Sequence, residues 1–456
     1  MSDEAFEVRG HWWLPGREDK EVPGYLRFDP ETGGTLTLIG ALSVWTDYAE
    51  PEVSENGAVS QSLTLDVQER SGTYPRIYGR VEGRPLTLED CFQTHVRGNL
   101  FGPANEQIVS VNRVFKDVWW EKDEEPEADA ISVALAYLND WVIEKYIGET
   151  MYTTEDQKRW NKIELSVENK PTRNVQLTGG LTLSLPYRFG ATGRRETERS
   201  LWQGYRLRIG ADSVMPIDDL IDIASDAQDL LSIATGRDAG FQNVSGYHPD
   251  LVRERPNGDD IPMPFEVISR WSIRDLAKKP DQIDHHDLYF TFEDLGGVDG
   301  LAKWMTVAAT YRSALGRAMS TRATANMFVS DRMLNYTAAL EGFDRTKTGN
   351  STDKLPTRLR RCGAQAGSPF TEMVGNVNKW SNAVAYHRND IAHHLGRRPR
   401  GAESDQYYLG QSVYWAFVLL MLHEAGAPQA VFDRIAQHQT FVYLNPKVKA
   451  VVDAHT

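Results

Sequence analysis

The sequence predicts an α+β protein: an N-terminal antiparallel, β-rich and sandwich-like part, followed by a C-terminal all-α helical bundle. Three observations predict it. Short runs of alternating apolar and polar residues, broken by Gly, Pro, Asn and Asp, fill the first 210 residues. At Pro216 the apolar period changes from two to that of a helix. From about residue 298 onward helical spacing is sustained to the last segments.

The β-rich runs come first. They include GTLTLIGAL from Gly34 to Leu42, RIYGRV from Arg76 to Val81 and VQLTGGLTLSL from Val175 to Leu185. Ile163, Leu165 and Val167 share one face of another, and Tyr205, Leu207 and Ile209 share one face of a further strand. The acidic stretch from Glu121 to Asp129 reads as a solvated loop. Pro216 suits the first position of a helix, Asp218, Asp219 and Asp222 favour its positive end, and Gly236 supplies a stop. Five prolines fall between residues 237 and 297, which read as a connecting region. Helices are then expected over about Asp299 to Met319 and Thr324 to Phe343, with a short basic piece from Asp353 to Gly363. One long helix is expected to begin at Ser368-Pro369, carry Phe370, Val374, Val377, Trp380, Val384 and Ile391 as its apolar stripe, and end at Gly396. Two more follow, over about Asp405 to Ala425 and Pro428 to Gln437. The expected division is 1–236 as a β-rich domain, 237–297 as a connector and 298–456 as a helical domain.

Composition narrows the function. The chain has 456 residues, 41% hydrophobic and 25% charged, as globular proteins do. Its longest apolar run is the ten residues Val413 to Leu422, half of what a membrane span needs, so no membrane partner is expected. The start, MSDEAFEVRG, lacks the pattern of a secretory signal, and Cys91 and Cys362 are too few for a disulfide framework or a Cys-based zinc site. A cytoplasmic setting is the expectation. The net charge of −14 hides a split: residues 301–456 carry +8 and the first 300 carry −22. A polyanion would be drawn to the helical part and repelled by the rest.

The segment Tyr386-His387-Arg388-Asn389-Asp390-Ile391-Ala392-His393-His394 could carry chemistry. At about 100° per residue, Arg388 lies on the flank of the apolar stripe, while Asn389 and His393 point to the far face. RNA can be cut without a metal when a base removes the 2′-OH proton and cations stabilise the charge that develops on the phosphate. Histidine titrates near neutral pH, and arginine binds phosphate oxygens in a fork. One His and one Arg are a minimal kit, which a symmetric dimer would double.

Arg-Asn-Asp-Ile-Ala-His is an Arg-x4-His pattern with a polar residue after the arginine. It resembles the signature of HEPN ribonucleases. LNYTAALEGFDR, Leu334 to Arg345, is similar to the helix that precedes that signature in the ApeA-like branch. VRGHWWLPG at Val8 to Gly16, PGYLRF at Pro23 to Phe28 and IYGRVEGRPLTLEDC at Ile77 to Cys91 resemble the ApeA N-terminal domain. The resemblance implies a bacterial abortive-infection protein that resists phage, a homodimer without cofactor or metal. Its helical domain would cut RNA, and its β-rich domain would sense infection, through a phage-derived protein trigger, or restrain the nuclease. Carried over by position, Arg388 and His393 would be catalytic, with Asn389, His394 and Glu341 in support. A five-residue spacer would make His394 the catalytic histidine. Arg358, Arg360, Arg361, Arg397 and Arg398 would contact RNA.

Other readings stay open. The protein could be a non-catalytic sensor whose helices serve dimerisation only. His387, Asp390 and His394 share a helix side and could hold a metal, as could Asp284-His285-His286-Asp287, although neither has a familiar ligand spacing. Trp12 and Trp13 stand on alternate faces of a strand, so one should point outward and could bind a sugar, base or protein. No GxxxxGK[ST] or GxSxG motif occurs, so ATP hydrolysis and serine-hydrolase chemistry have no support.

Overall fold

The computed structural model describes residues 6–29, 32–42, 52–53, 59–60, 72–98, 104–142, 144, 146–154, 159–194, 196–255, 258, 260–269, 282–393 and 402–455. The alternating runs near the N-terminus become β1 (Phe6–Trp13), β2 (Val22–Asp29), β3 (Gly33–Leu38), β4 (Thr73–Val81), β5 (Arg84–Gly98) and β6 (Ala104–Lys116). All pair antiparallel, β1 with β2 and β4, β2 with β3, β3 with β6, β6 with β5, and β5 with β4. The ring closes, so this part is a six-stranded barrel. The closing seam is short, three β1–β4 pairs from His11 to Trp13, and the start of β1 keeps β2 as its only partner strand among the described residues.

Its interior is filled by Trp12, Leu26, Phe28, Leu36, Leu38, Ile77, Leu88, Val109 and Val111, the inward members of each alternation. Gly79 is required here, because a Cβ would meet the Trp12 ring at 2.3 Å. The one buried amide among them is satisfied: Gln107 donates to the Tyr74 hydroxyl and to Gln93 Oε1, each at 2.8 Å, and accepts from the Leu42 amide at 2.9 Å.

The second half of β6 stays on β5 but exchanges β3 for β10 (Phe265–Ser269) on its other side. The sheet continues through β9 (Phe241–Tyr247) and β7 (Glu127–Leu135) to β8 (Leu207–Pro216). Residues 237–297 are therefore not a connector. They supply two central strands, and their alternation was hidden by prolines that fall outside both strands.

Trp12 fills the barrel and Trp13 takes the outer face, as alternation requires, but both are buried, at 0% and 2% exposure, so neither is open to a ligand. Trp13 would face solvent on a flat sheet, but Tyr78 and Trp119 cover it with ring centroids at 6.4 and 5.8 Å. Trp119, which the sequence pattern did not single out, is the exposed aromatic of this group.

Contacts divide the chain into two compact units: Met1–Leu135, Gly210–Leu220 and Gly240–Pro280 form the first, and Ala136–Ile209, Ile221–Ala239 and Asp281–Thr456 the second. The boundaries expected at 236 and 297 do not coincide with these. The second unit takes in two β-hairpins, Ile147–Thr153 with Trp160–Val167 and Tyr187–Thr192 with Ser200–Tyr205. On the first, the apolar face that Ile163 and Leu165 share is open to solvent, at 56% and 47% exposure.

The helices are α1 (Ile217–Thr235), α2 (Gly297–Ala323), α3 (Val329–Thr348), α4 (Leu355–Gln365), α5 (Gly367–Val374), α6 (Val377–His393), α7 (Glu403–Glu424), α8 (Gln429–Gln437) and α9 (Gln439–Ala454). The architecture is α+β, with an antiparallel barrel region followed by C-terminal helices. The apolar run Val413 to Leu422 is the buried middle of α7, hydrophobic on all sides because other helices surround it. Tyr311 stacks on Phe343 at 4.5 Å, and Tyr336 meets Tyr414 at 5.2 Å, fixing α2, α3 and α7 together. Among the described residues no helix is long and apolar enough to cross a membrane.

Candidate active site

The single long helix expected from Ser368 onward is two helices. Gly375, at φ 69°, ends α5 in a left-handed turn that a side chain would strain. The Asn376 side chain then restarts the chain: its Oδ1 accepts from the amides of Asn378 and Lys379 at 3.0 and 3.1 Å. Trp380 anchors α6, fully buried, with its Nε1 donating to Ser412 Oγ at 2.8 Å and its ring edge-on to Phe370 at 4.9 Å.

From that anchor the helical period sets the outward face. Trp380, Ala383, Val384 and His387 are buried, Arg388 is half-buried on the flank, and Asn389 and His393 are exposed. Ile391, expected at the centre of the buried stripe, is only half-buried, and Asp390 is buried instead. The Arg388 guanidinium donates to its neighbour, Asn389 Oδ1, at 3.2 Å. No carboxylate among the described residues pairs with it. Its charge is thus held by a neutral amide and remains available to an anion.

Behind this face lies a group the sequence reading used only as a metal alternative. His387 is buried, and its ring lies 5.5 Å from Tyr386 and 6.2 Å from His455. Burial pushes its pKa below the usual histidine value, the Asp405 carboxylate works against that, His455 reinforces it and Asp390 opposes it. His394, Arg397 and Arg398 lie outside the described residues. The other candidate segment, Asp284 to Asp287, is a short 3-10 turn whose backbone is tied down: the His285 carbonyl accepts from Arg434 at 3.0 Å.

The basic piece before α5 forms α4, and its arginines have different fates. Arg358 is 1% exposed, with Nη1 donating to Asp344 at 3.3 Å and Nε to the Asp353 carbonyl at 2.9 Å. Arg361 forks onto both oxygens of Asp344 at 2.7 Å and reaches Asp353 at 3.0 Å. These bonds hold Arg361 firmly in its charged form. The expectation that Arg358 contacts RNA is corrected: it is enclosed, and its charge is spent on Asp344. Arg361 is likewise committed to two carboxylates. Arg360, between them, is exposed. Glu341 joins this group and not α6: it accepts from Arg345 at 2.6 Å and lies 3.9 Å from Arg358 Nε. Asp344 and Asp353, which organise the cluster, were not singled out in the sequence. The one available signal was Asp353 at the head of the basic piece.

The family comparison bears on the other end of the chain. The family model described as ApeA N-terminal domain 1 matches residues 7–304, more than half of the sequence. The chain belongs to the ApeA family. The ApeA match takes in the barrel and its sheet and stops within α2, so α3 to α9 and the α6 face lie beyond it. No curated protein and no solved structure matches the chain. ApeA membership points to anti-phage defence and to a defence effector.

Proposed function

We propose that this ApeA-family chain is an abortive-infection endoribonuclease of the HEPN kind, cutting RNA without a metal at the outward face of the last turns of α6. The observation that carries the reading is the Arg388 guanidinium, bonded to Asn389 and to no carboxylate among the described residues, on the same helix end as the exposed His393. A scissile phosphate would take the Arg388 fork, with Asn389 orienting it. His393 would remove the 2′-OH proton. The oxygen then attacks its own phosphorus, the 5′-oxygen leaves with a proton, and a 2′,3′-cyclic phosphate results. His394, next in the chain, is the alternative base.

Five residues separate Arg388 from His393, about 140° around the helix axis. One helix therefore does not stack the two groups, and a two-fold pair of chains supplies a second set to complete the site. The positive charge of residues 301–456 draws RNA toward it. The ApeA-type region would sense infection, with a phage-derived protein as trigger, or restrain the nuclease.

The test is RNA incubated with the protein in EDTA. Products ending in 2′,3′-cyclic phosphate are expected, with Arg388→Ala and His393→Ala each slower by about a hundredfold or more. Equal activity in the variants would reject the assignment.

A further inference from the structure

The outer face of the barrel carries a groove of about 890 Å³, lined by Glu7, Arg9, His11, Tyr25, Arg80 and Glu82 with Ile39 at its side. It exists because two strands part company. β1 pairs with β4 only from His11 opposite Arg80 to Trp13 opposite Tyr78, and β4 then turns back through Glu82 and Gly83. The outward residues of β1 beyond that point keep β2 on one side and open space on the other.

Anion-binding side chains gather on this face. His11 stands directly across from Arg80, and Arg9 follows on the same face two residues along, opposite Tyr25. Neighbours of this kind lie about 5–7 Å apart, so the two guanidiniums and the imidazole can reach one anion. No carboxylate within the described residues pairs with Arg9, His11 or Arg80. Glu7, across from Arg27, and Glu82 stand at the two ends of the row, and neither makes an ion pair with a described residue. Arg80 is nonetheless held in place: its guanidinium lies 5.2 Å from the Trp13 ring and 5.5 Å from the Trp119 ring. Trp119 is itself fixed, with Nε1 donating to the Gly79 carbonyl at 3.1 Å. A cation held against two ring faces by cation–π attraction uses none of its N–H groups there and keeps them for a ligand. Tyr25 and Ile39, 37% and 67% exposed, offer a flat apolar surface beside it. The groove therefore presents positive charge in the middle, hydrogen-bond acceptors at both ends and an apolar shelf, in a volume suited to a small molecule.

We propose that this groove binds a free mononucleotide, its phosphate on Arg9, His11 and Arg80 and its base on Tyr25 and Ile39. Glu7 and Glu82 then accept from ribose hydroxyls or base amino groups. The site is separate from the α6 face and stands whether or not the chain cuts RNA.

Titration of the full-length protein with AMP, adenosine, inorganic phosphate and a 5′-phosphorylated oligonucleotide tests it, read by calorimetry and by Trp119 emission. AMP is expected to bind saturably at one site, with adenosine and phosphate alone weaker by about tenfold or more. Arg9→Ala, which removes no ion pair among the described residues, should weaken AMP by about tenfold. Arg80→Lys should weaken it while preserving the fold, and Arg27→Ala, outside the groove, should leave it unchanged. Absence of saturable AMP binding at millimolar concentration would overturn the proposal. So would undiminished binding in Arg9→Ala, or binding of the oligonucleotide without AMP.

Discussion

Two arginine-bearing segments of the helical unit look alike in sequence and differ in what their charges meet. In α4, Arg358 and Arg361 converge on Asp344, and Arg361 also takes Asp353. At the end of α6, Arg388 meets the amide of Asn389 and, among the described residues, no carboxylate. A guanidinium saturated by carboxylates joins helices, whereas one held by a neutral amide keeps its charge for a ligand. Local density of basic residues is therefore a poor guide to a nucleic-acid site, and the positions of the acidic partners decide.

The largest expected effect falls on the first segment. Asp344→Ala leaves Arg358 buried without its carboxylate and should cost about 3–5 kcal/mol of stability, read from the urea midpoint. A loss below about 1 kcal/mol would mean that α4 is not held by these pairs, and the contrast with α6 would collapse.

A second, smaller effect concerns pH. His387 and His438 are both buried, and burial lowers the pKa of each. The folded chain thus holds them neutral while the unfolded chain takes up protons near the ordinary histidine value, about 6.5. Stability contributed by the neutral forms is present above that value and is lost as pH falls through it toward the lowered folded values. Urea midpoints should therefore drop between neutral and mildly acidic pH, and His387→Gln should flatten the dependence. An unchanged slope in that variant would remove His387 from the support of the α6 end.

The smallest effect belongs to Glu341. Its 2.6 Å pair with Arg345 spans one helical turn, and the arginine is about half exposed. Arg345→Ala should shift stability by no more than about 0.5 kcal/mol. A larger loss would mean that the Glu341–Arg345 pair supports the Asp344 cluster more than an exposed pair can.

Much of this was legible in the sequence, for reasons that particular residues make plain. α1 follows from Pro216, three aspartates and Gly236, because caps and period are local properties. The exposure of Asn389 and His393 follows from helical arithmetic once Trp380 and Val384 are known to face inward. What was missed depends on distant partners. Asp344 lies 14 residues from Arg358 and 17 from Arg361, and only the packing of α3 on α4 brings them together. β9 and β10 were read as connector because prolines between them outweighed two short alternations. α9 was not expected, since Pro446 interrupts it in sequence but not in space. At Ile163 and Leu165 period two predicts the strand that is found, but period alone does not say what covers a face, and this one is exposed.

The contrast between the two arginine sites comes to a head in one assay, the rate of RNA cleavage in EDTA per folded molecule for Arg388→Ala beside Arg361→Ala, each checked by its melting transition. The account predicts that Arg388→Ala folds like the parent and loses about a hundredfold or more in rate, while Arg361→Ala melts earlier and cuts normally when folded. A folded Arg388→Ala protein that cuts RNA at the parent rate would contradict it.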